Sequence, residues 1–326
     1  MVQTRAIRLH QPGGPEVMHL ETIDLPPPGA GEVQIRHTAI GVNFIDVYHR
    51  IGLYPIPLPM GNGTEGAGVV EAVGPGVTLW VPGARVAYAG VAPGSYCERR
   101  NFPADRLVAI PDGVTDEAAA ASMLKGMTVE YLLDRTVALK SGDYALMYAA
   151  AGGIGLFAGQ WAKLRGINLI GVAAGAEKCA AARAAGYHTV LDRRTDNVVA
   201  RVREITGGAM LPAVFDSVGK DTWTQSLDLL RPRGTMVSFG NTTGAVPPFD
   251  LGELVKRGSL YVTRPSLNAY TATREDLLKS AGTVLGFLQS GAMTAHIGQR
   301  YALADAQQVH RDLEAGRTTG STIMVP

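Results

Sequence analysis

The stretch Ala149 to Lys163, AAAGGIGLFAGQWAK, places Gly152, Gly153 and Gly155 within four positions of an apolar run. The segment before it, YALMYAA, reads as a strand, and the segment from Gly153 onward reads as a helix ending at Gly166. A glycine turn between a strand and a helix lets a phosphate approach the backbone, where the free N–H groups and positive dipole end of the helix receive it. The register G-x-G-x-x-G falls on Ala150, Gly152 and Gly155, so alanine replaces the first glycine. In this register Gly152 admits a pyrophosphate and Gly155 permits close helix–strand contact. The chemistry is therefore dinucleotide binding.

The end of the next strand, GVAAGAEK, decides which dinucleotide. A site for NAD wants an acid there for the ribose hydroxyls. Val172 to Ala176 contain none, and Glu177 already lies in the following helix. Lys178 stands beside it, and Arg193 and Arg194 follow the third strand. Missing acid and nearby cations suit a 2′-phosphate, so the expected cofactor is NADPH.

Other chemistries lack their residues. The seven histidines, at 10, 19, 37, 49, 188, 296 and 310, show neither H-x₃-H nor H-E-x-x-H spacing, and none has a cysteine at ligand spacing. The expectation is no metal. G-x-S-x-G is absent, which argues against an α/β-hydrolase nucleophile. None of the eleven tyrosines has lysine four residues later, which removes the Tyr–Lys pair of short-chain reductases. What remains is hydride transfer, with the protein orienting a cofactor.

The elements around these residues fall into two textures. The first 120 or so residues hold short strands punctuated by Gly and Pro, such as EVQIRHTAIGV, GAGVVEAVG and GARVAYAG. From about Pro111 the texture changes. TDEAAAASMLKGMTVEYLL reads as one helix, capped by Thr115 and Asp116. Strands and helices then alternate: INLIGVAA, AEKCAAARAAG, HTVLD, NVVARVREITGG, AVFDSVG and GTMVSFG. That rhythm with apolar strands marks a parallel, doubly wound sheet. The tail from Tyr301 reads as a helix and a last strand.

With 326 residues the chain is long enough for two full cores, and 46% hydrophobic with 18% charged residues is an ordinary soluble composition. A net charge of +1 without a basic run gives no support to a nucleic-acid or membrane partner. Nineteen uncharged positions separate Asp143 from Lys163, but four of them are Gly, so strand, turn and helix explain the run better than a membrane span. MVQTRAIRLHQPGG has no apolar signal-peptide core. Two cysteines, Cys97 and Cys179, are too few for a disulfide framework. The expected location is the cytoplasm.

NFIDVYHRIGLYP, GTEGAGVVEAVG, KGMTVEYLL, GDYALMYAAAGGIGLFAGQWAK, FDSVG, VSFGN and YVTRPSL occur in this order along the chain. In these motifs, and over essentially its whole length, the chain resembles the zinc-free NADPH:quinone oxidoreductases (ζ-crystallin-like) of the medium-chain dehydrogenase/reductase superfamily. The zinc alcohol dehydrogenase branch carries G-H-E where this chain has Gly63-Thr64-Glu65, and cysteine where it has Asn43. The four-cysteine lobe of that branch would fall near Ala92 to Asn101, where only Cys97 occurs.

The resemblance implies an α/β chain: a GroES-like, β-rich catalytic domain (residues 1–118 with 293–326) plus a Rossmann doubly wound parallel sheet (119–292). It implies a site in the cleft between these domains, and a homodimer through the strand near SLYVT. It also implies roles. Asn43 and Tyr48 would face the nicotinamide half of the cofactor and the substrate, with Tyr48 able to relay a proton. Tyr54 would line the substrate site, and Arg264 would border its mouth. Thr128, at the start of a helix, would lie near the carboxamide. Gly152, Gly153, Ile154 and Gly155 would hold the pyrophosphate, and Gly175 and Lys178 the adenosine phosphate. Arg193 departs from the tyrosine of bacterial members, and it can still pair with phosphate. Ser217, Phe239, Gly240 and Asn241 would end strands near the nicotinamide, and Arg317 would reach the cofactor from the tail. The function implied is quinone reduction by NADPH. Two alternatives stand beside it: reduction of enone or alkenal double bonds, and a non-enzymatic crystallin-like or RNA-binding role.

Overall fold

The computed structural model describes residues 1–326. The chain divides into two compact units, Met1–Met127 with Thr271–Pro326, and Thr128–Tyr270.

The first unit is built on two sheets, whose inner strands are buried on most positions while the edge strand Ile297–Ala302 alternates. Val2–Leu9 and Met18–Leu25 pair antiparallel along their full length, and Met60–Gly61 adds to the other side. A second sheet runs Ile297–Ala302, Ser321–Val325, Glu32–Val42, Glu65–Val73, Arg85–Ala89 and Val108–Ala109, with Arg99–Pro103 also on Glu32–Val42. Glu32–Val42 is thus the central strand. Its Val33, Ile35, Ala39 and Ile40 are wholly buried, as a strand covered on both sides requires. The tail enters this sheet, where Thr322, Ile323 and Met324 pair with Val42, Gly41 and Ile40.

The second unit holds six parallel strands. In their own chain order they are Tyr144–Tyr148, Asn168–Ala173, Thr189–Asp192, Leu211–Asp216, Leu230–Ser238 and Tyr261–Thr263, and across the sheet they run 3-2-1-4-5-6. This is the Rossmann order, with its reversal between the first and fourth strands. Leu146, Ile170, Val214 and Met236 sit at the centre of the core and exclude solvent completely. The helix Gly153–Arg165 stops at Gly166, whose φ of 70° is the left-handed cap that favours glycine.

Two expectations need correction. The run from Thr115 is not one helix: it forms Asp116–Ala120, Met123–Glu130 and a π-helical turn, Tyr131–Thr136. Thr115 caps the first piece through Ala118 N at 3.1 Å. Hydroxyl groups compete with the backbone further on. Ser122 Oγ donates to Ala118 O at 2.5 Å, and Thr136 Oγ1 donates to Tyr131 O at 2.8 Å where the π turn closes. In the tail, Tyr301 and Ala302 end a strand, Ile297–Ala302, and the helix begins only at Ala306. The pairing of that strand with Ser321–Val325 overrides its helix-like local composition.

Candidate functional site

In the second unit, the glycine turn sits where the sheet order reverses, which is where open α/β sheets bind ligands. Ala149 leaves the first strand with a φ of 52°. Gly152 then caps the helix, which exposes its first-turn N–H groups at Gly153, Ile154 and Gly155. The two glycines of the motif differ in purpose. A Cβ on Gly155 would lie 2.4 Å from Ala149 O and 2.5 Å from Ala150 O. Only glycine lets the helix come this close to the strand end. A Cβ on Gly152 would meet Ala149 O alone, at 3.3 Å. No other atom lies within 4 Å of that position.

Gly175 follows the second strand with a φ of 88°, and its N–H donates to Asp192 Oδ1 at 3.0 Å. The same oxygen accepts from Arg194 N at 3.0 Å. These backbone donors hold the Asp192 carboxyl below its ordinary range. Asp192 is the acid that no reading of Val172 to Ala176 could find, because it comes from the third strand. Its hydrogen bonds build the turn. The Arg194 guanidinium lies over Gly175, 2.9 Å from where a Cβ would stand. Lys178 is on the first turn of the next helix, Ala176–Ala184. Burial pushes its ammonium down, and the charges of Arg194 and Arg193 push it further. Three cations thus converge on one glycine turn.

The turns after the fourth and fifth strands interlock. Asp216, buried, accepts from Val218 N at 2.7 Å, Gly219 N at 3.1 Å, Thr222 Oγ1 at 2.7 Å and Ser226 Oγ at 2.6 Å. Phe239 N donates to Asp216 O at 2.8 Å, and Thr242 N to Ser217 O at 3.2 Å. Gly240 presses on Ser217, since a Cβ there would lie 2.5 Å from Ser217 O. Ser217, Phe239, Gly240 and Asn241 are therefore one cluster. Arg264 is part of it. Its Nη1 donates to Ser238 Oγ at 2.9 Å and Gly240 O at 3.0 Å. With the Asn241 amide turned to satisfy both ends, Asn241 accepts from Arg264 Nη2 at 3.0 Å and donates to Gly240 O at 2.8 Å. Thr128 is not at a helix start. It is buried late in Met123–Glu130, where it hydrogen-bonds Tyr131.

The first unit contributes a separate set. Asn43 caps the helix Phe44–Arg50, and its N–H donates to Asp46 Oδ2 at 2.9 Å. Its amide Nδ2 donates to Glu65 Oε2 at 2.8 Å. Asp46 also accepts from Thr64 Oγ1 and Tyr96 OH, each at 2.9 Å. Burial pushes the Asp46 carboxyl up to about 6. Tyr48 is buried on the same helix, 5.5 Å from the ring of Phe44 and 5.2 Å, edge-on, from that of Tyr54. Tyr54 N donates to Tyr48 O at 3.2 Å. The structure thus brings Asn43, Tyr48 and Tyr54 together. Arg317 is exposed, and its Nε donates to Asp312 Oδ1 at 2.8 Å. No three or more His, Cys, Asp or Glu side chains gather as metal ligands would. Sequence reasoning missed Glu65 and Lys125 as neighbours of Asn43, because these partners are distant in the chain, and it missed Asp46, whose signal was local: an acid three residues after the capping Asn43.

Residues 29–133 match the alcohol dehydrogenase GroES-like domain, and residues 153–280 match the zinc-binding dehydrogenase family. The chain is 50% identical to a quinone oxidoreductase of Pseudomonas aeruginosa over 96% of its length and 97% of that protein. It is 39% identical to a 2-haloacrylate reductase of Burkholderia sp, with 98% of both chains covered. The structure of Escherichia coli quinone oxidoreductase complexed with NADPH superposes with a TM-score of 0.97 at 47% identity, covering 99% of this chain and 100% of that one.

Proposed function

We infer the activity from one premise: the chain belongs to the quinone oxidoreductase family of the medium-chain dehydrogenase/reductase superfamily. Its function is the reduction of quinones by NADPH. The observation that carries the cofactor half of this reading is the convergence of Lys178, Arg193 and Arg194 at Gly175. Three cations gathered at one turn want an anion, and a 2′-phosphate supplies it. The glycine turn fits the rest of the group. Gly152 leaves the helix end open to a pyrophosphate, and Gly155 keeps that end in place.

NADPH, when bound, supplies the hydride. The chain's part is to bind, orient and exclude water. Gly153, Ile154, Thr128, Ser217, Phe239, Gly240, Asn241 and Arg317 hold the cofactor in this reading. Asn43 and Tyr48 face its nicotinamide half, and Tyr54 and Arg264 serve the substrate. Tyr48, packed between two rings, positions ligands. The reduced quinone oxygen is a modest base, so water can protonate it. Zinc is not required. The two positions that hold metal ligands in the zinc branch carry an amide and a hydroxyl, poor zinc donors, already bonded to Glu65 and Asp46. Without a Lewis acid the substrate must accept hydride readily, as quinones do and simple carbonyls do not.

The assembly in this reading is a cytoplasmic homodimer, joined at the sheet edge Tyr261–Thr263, where Tyr261 and Val262 are exposed. No helix is long and apolar enough to cross a membrane.

A second reading, reduction of activated conjugated double bonds, is favoured by the likeness to the 2-haloacrylate reductase. The deciding assay follows NADPH oxidation with a quinone and with a conjugated alkenal at matched concentrations, before and after chelation. The quinone should give the larger kcat/KM, and chelation should leave it unchanged. A larger value for the alkenal would replace the first reading with the second. Activity lost on chelation and restored by zinc would overturn the metal-free reaction.

Cofactor choice has its own test. Lys178→Ala should weaken NADPH binding by roughly 1.5–3 kcal/mol, the range for a hydrogen bond to a charged group, and leave NADH nearly unchanged. Arg194→Ala should act in the same sense. Equal losses for both cofactors would remove the 2′-phosphate from this corner.

A further inference from the structure

Glu65 opens the strand Glu65–Val73 with its carboxylate entirely buried, and Lys125 is buried beside it. Glu65 Oε1 accepts from Leu124 N at 2.7 Å. Its Oε2 accepts from Lys125 Nζ at 3.0 Å and from Asn43 Nδ2 at 2.8 Å. The space for this carboxylate is left by Gly41, where a Cβ would lie within 2.3 Å of Glu65 Oε2.

We propose that Glu65 and Lys125 are positioning residues, a buried ion pair that fixes the Asn43 carboxamide in one orientation toward the nicotinamide half of the cofactor. The proposal rests on the NADPH reading above. A carboxylate accepts hydrogen bonds and cannot donate them, so only the nitrogen end of the Asn43 amide can face Glu65. The flipped amide would set oxygen against oxygen. Lys125 Nζ and Leu124 N both donate to the same buried carboxylate, so every contact it makes is one in which it accepts. The backbone end of Asn43 is fixed separately by Asp46, through its N–H. Main chain and side chain of one residue are thus held by two different buried acids. Asp46 closes the cap of Phe44–Arg50 and Glu65 also receives Leu124 N, but neither of those contacts requires the Asn43 amide nitrogen to face Glu65.

The test compares two ligands of the intact protein. NADPH reaches both halves of its site, whereas 2′,5′-ADP lacks the nicotinamide half. Glu65→Gln presents an amide that can pair with either flip of Asn43. It should raise the Kd for NADPH about tenfold or more, the scale of one misplaced hydrogen bond, and leave that for 2′,5′-ADP within about twofold. Lys125→Met should show the same asymmetry, and it stands in should Glu65→Gln fail to fold. The KM for NADPH should rise with the Kd. Equal weakening of both ligands would mark a general structural defect and overturn the proposal, and so would unchanged NADPH binding. Failure of the unaltered protein to bind NADPH would overturn the cofactor reading itself, while NADPH bound normally and unaffected by either variant would overturn only the positioning role.

Discussion

Acidification from pH 6.5 to pH 4 should destabilise the folded protein by several kcal/mol, and Asp46→Asn should make that loss larger. Two buried histidines drive the loss. His37 sits between Cys97 O at 2.8 Å and Tyr88 OH at 2.7 Å, and His310 between Tyr96 OH at 3.1 Å and Arg50 Nη1 at 3.4 Å. Burial pushes His37 down to about 4 and His310 down to about 3, from 6.5. With folded values below the unfolded ones, their contribution is whole above pH 6.5 and is lost as pH falls. Each gives up roughly 3 kcal/mol by pH 4, at 1.36 kcal/mol per pH unit. Asp46 works in the opposite sense. Its folded value of about 6 lies above the 3.8 of a free carboxyl. Its contribution is whole below pH 3.8 and is lost as pH rises through 6, so acidification to pH 4 restores roughly 2 kcal/mol. Tyr96 OH touches both Asp46 and His310, so the two titrations are linked. Urea unfolding at the two pH values, for the protein and for Asp46→Asn, measures the difference. A shallower loss in the variant would show that Asp46 is ionised over the whole range.

Substituting the two motif glycines should separate stability from binding. Gly155→Ala drives a Cβ into the Ala149 and Ala150 carbonyls, and backbone cannot swing aside as a side chain can. The expected cost is about 2–3 kcal/mol of stability, the upper range for overpacking. Gly152→Ala meets only one atom, at 3.3 Å, in a backbone conformation with φ of −77° that alanine adopts freely. Its stability should change by less than about 0.5 kcal/mol, as at an unstrained surface site. In the proposed site its methyl group would stand where the pyrophosphate approaches, and NADPH affinity should fall about 100-fold. Thermal unfolding and NADPH titration of both variants test the pair. A Gly152→Ala protein that binds NADPH normally would place the pyrophosphate elsewhere.

The parts of the site that sequence revealed are those in which cause and effect are neighbours. The glycine turn, its strand and its helix occupy one stretch of chain, and Gly166 marks the helix end by its own conformation. The alternation of the second unit was legible for the same reason. The parts that stayed hidden depend on pairing across long separations. Glu65 lies 22 residues from Asn43 and 60 from Lys125, so nothing near any of them marks the group. Asp192 serves Gly175 from 17 residues away, on a different strand. Arg264 reaches Ser238 and Gly240 from 26 and 24 residues away, so its bonds to the turn after the fifth strand are likewise unmarked in the local sequence. The split of the helical run after Thr115 was hidden because alanine-rich sequence favours helix everywhere, and the breaks come from hydroxyl groups that reach back to the main chain.

The first unit is assembled from both sides of an insertion. Its sheet places Ser321–Val325 between Ile297–Ala302 and Glu32–Val42. As a ribosome delivers the chain from its amino end, the whole of Thr128–Tyr270 emerges while that sheet still lacks two adjacent strands. The nucleotide unit can finish folding during translation, and the first unit cannot. Until Ser321–Val325 arrives, Ile40, Gly41 and Val42 present an unpaired strand edge. Asn43 follows directly on that edge. The segment that carries the candidate reductive chemistry is therefore among the last to be secured, and ribosomal stalling near the end of the message would release chains with a formed nucleotide fold and an unfinished, adhesive catalytic sheet.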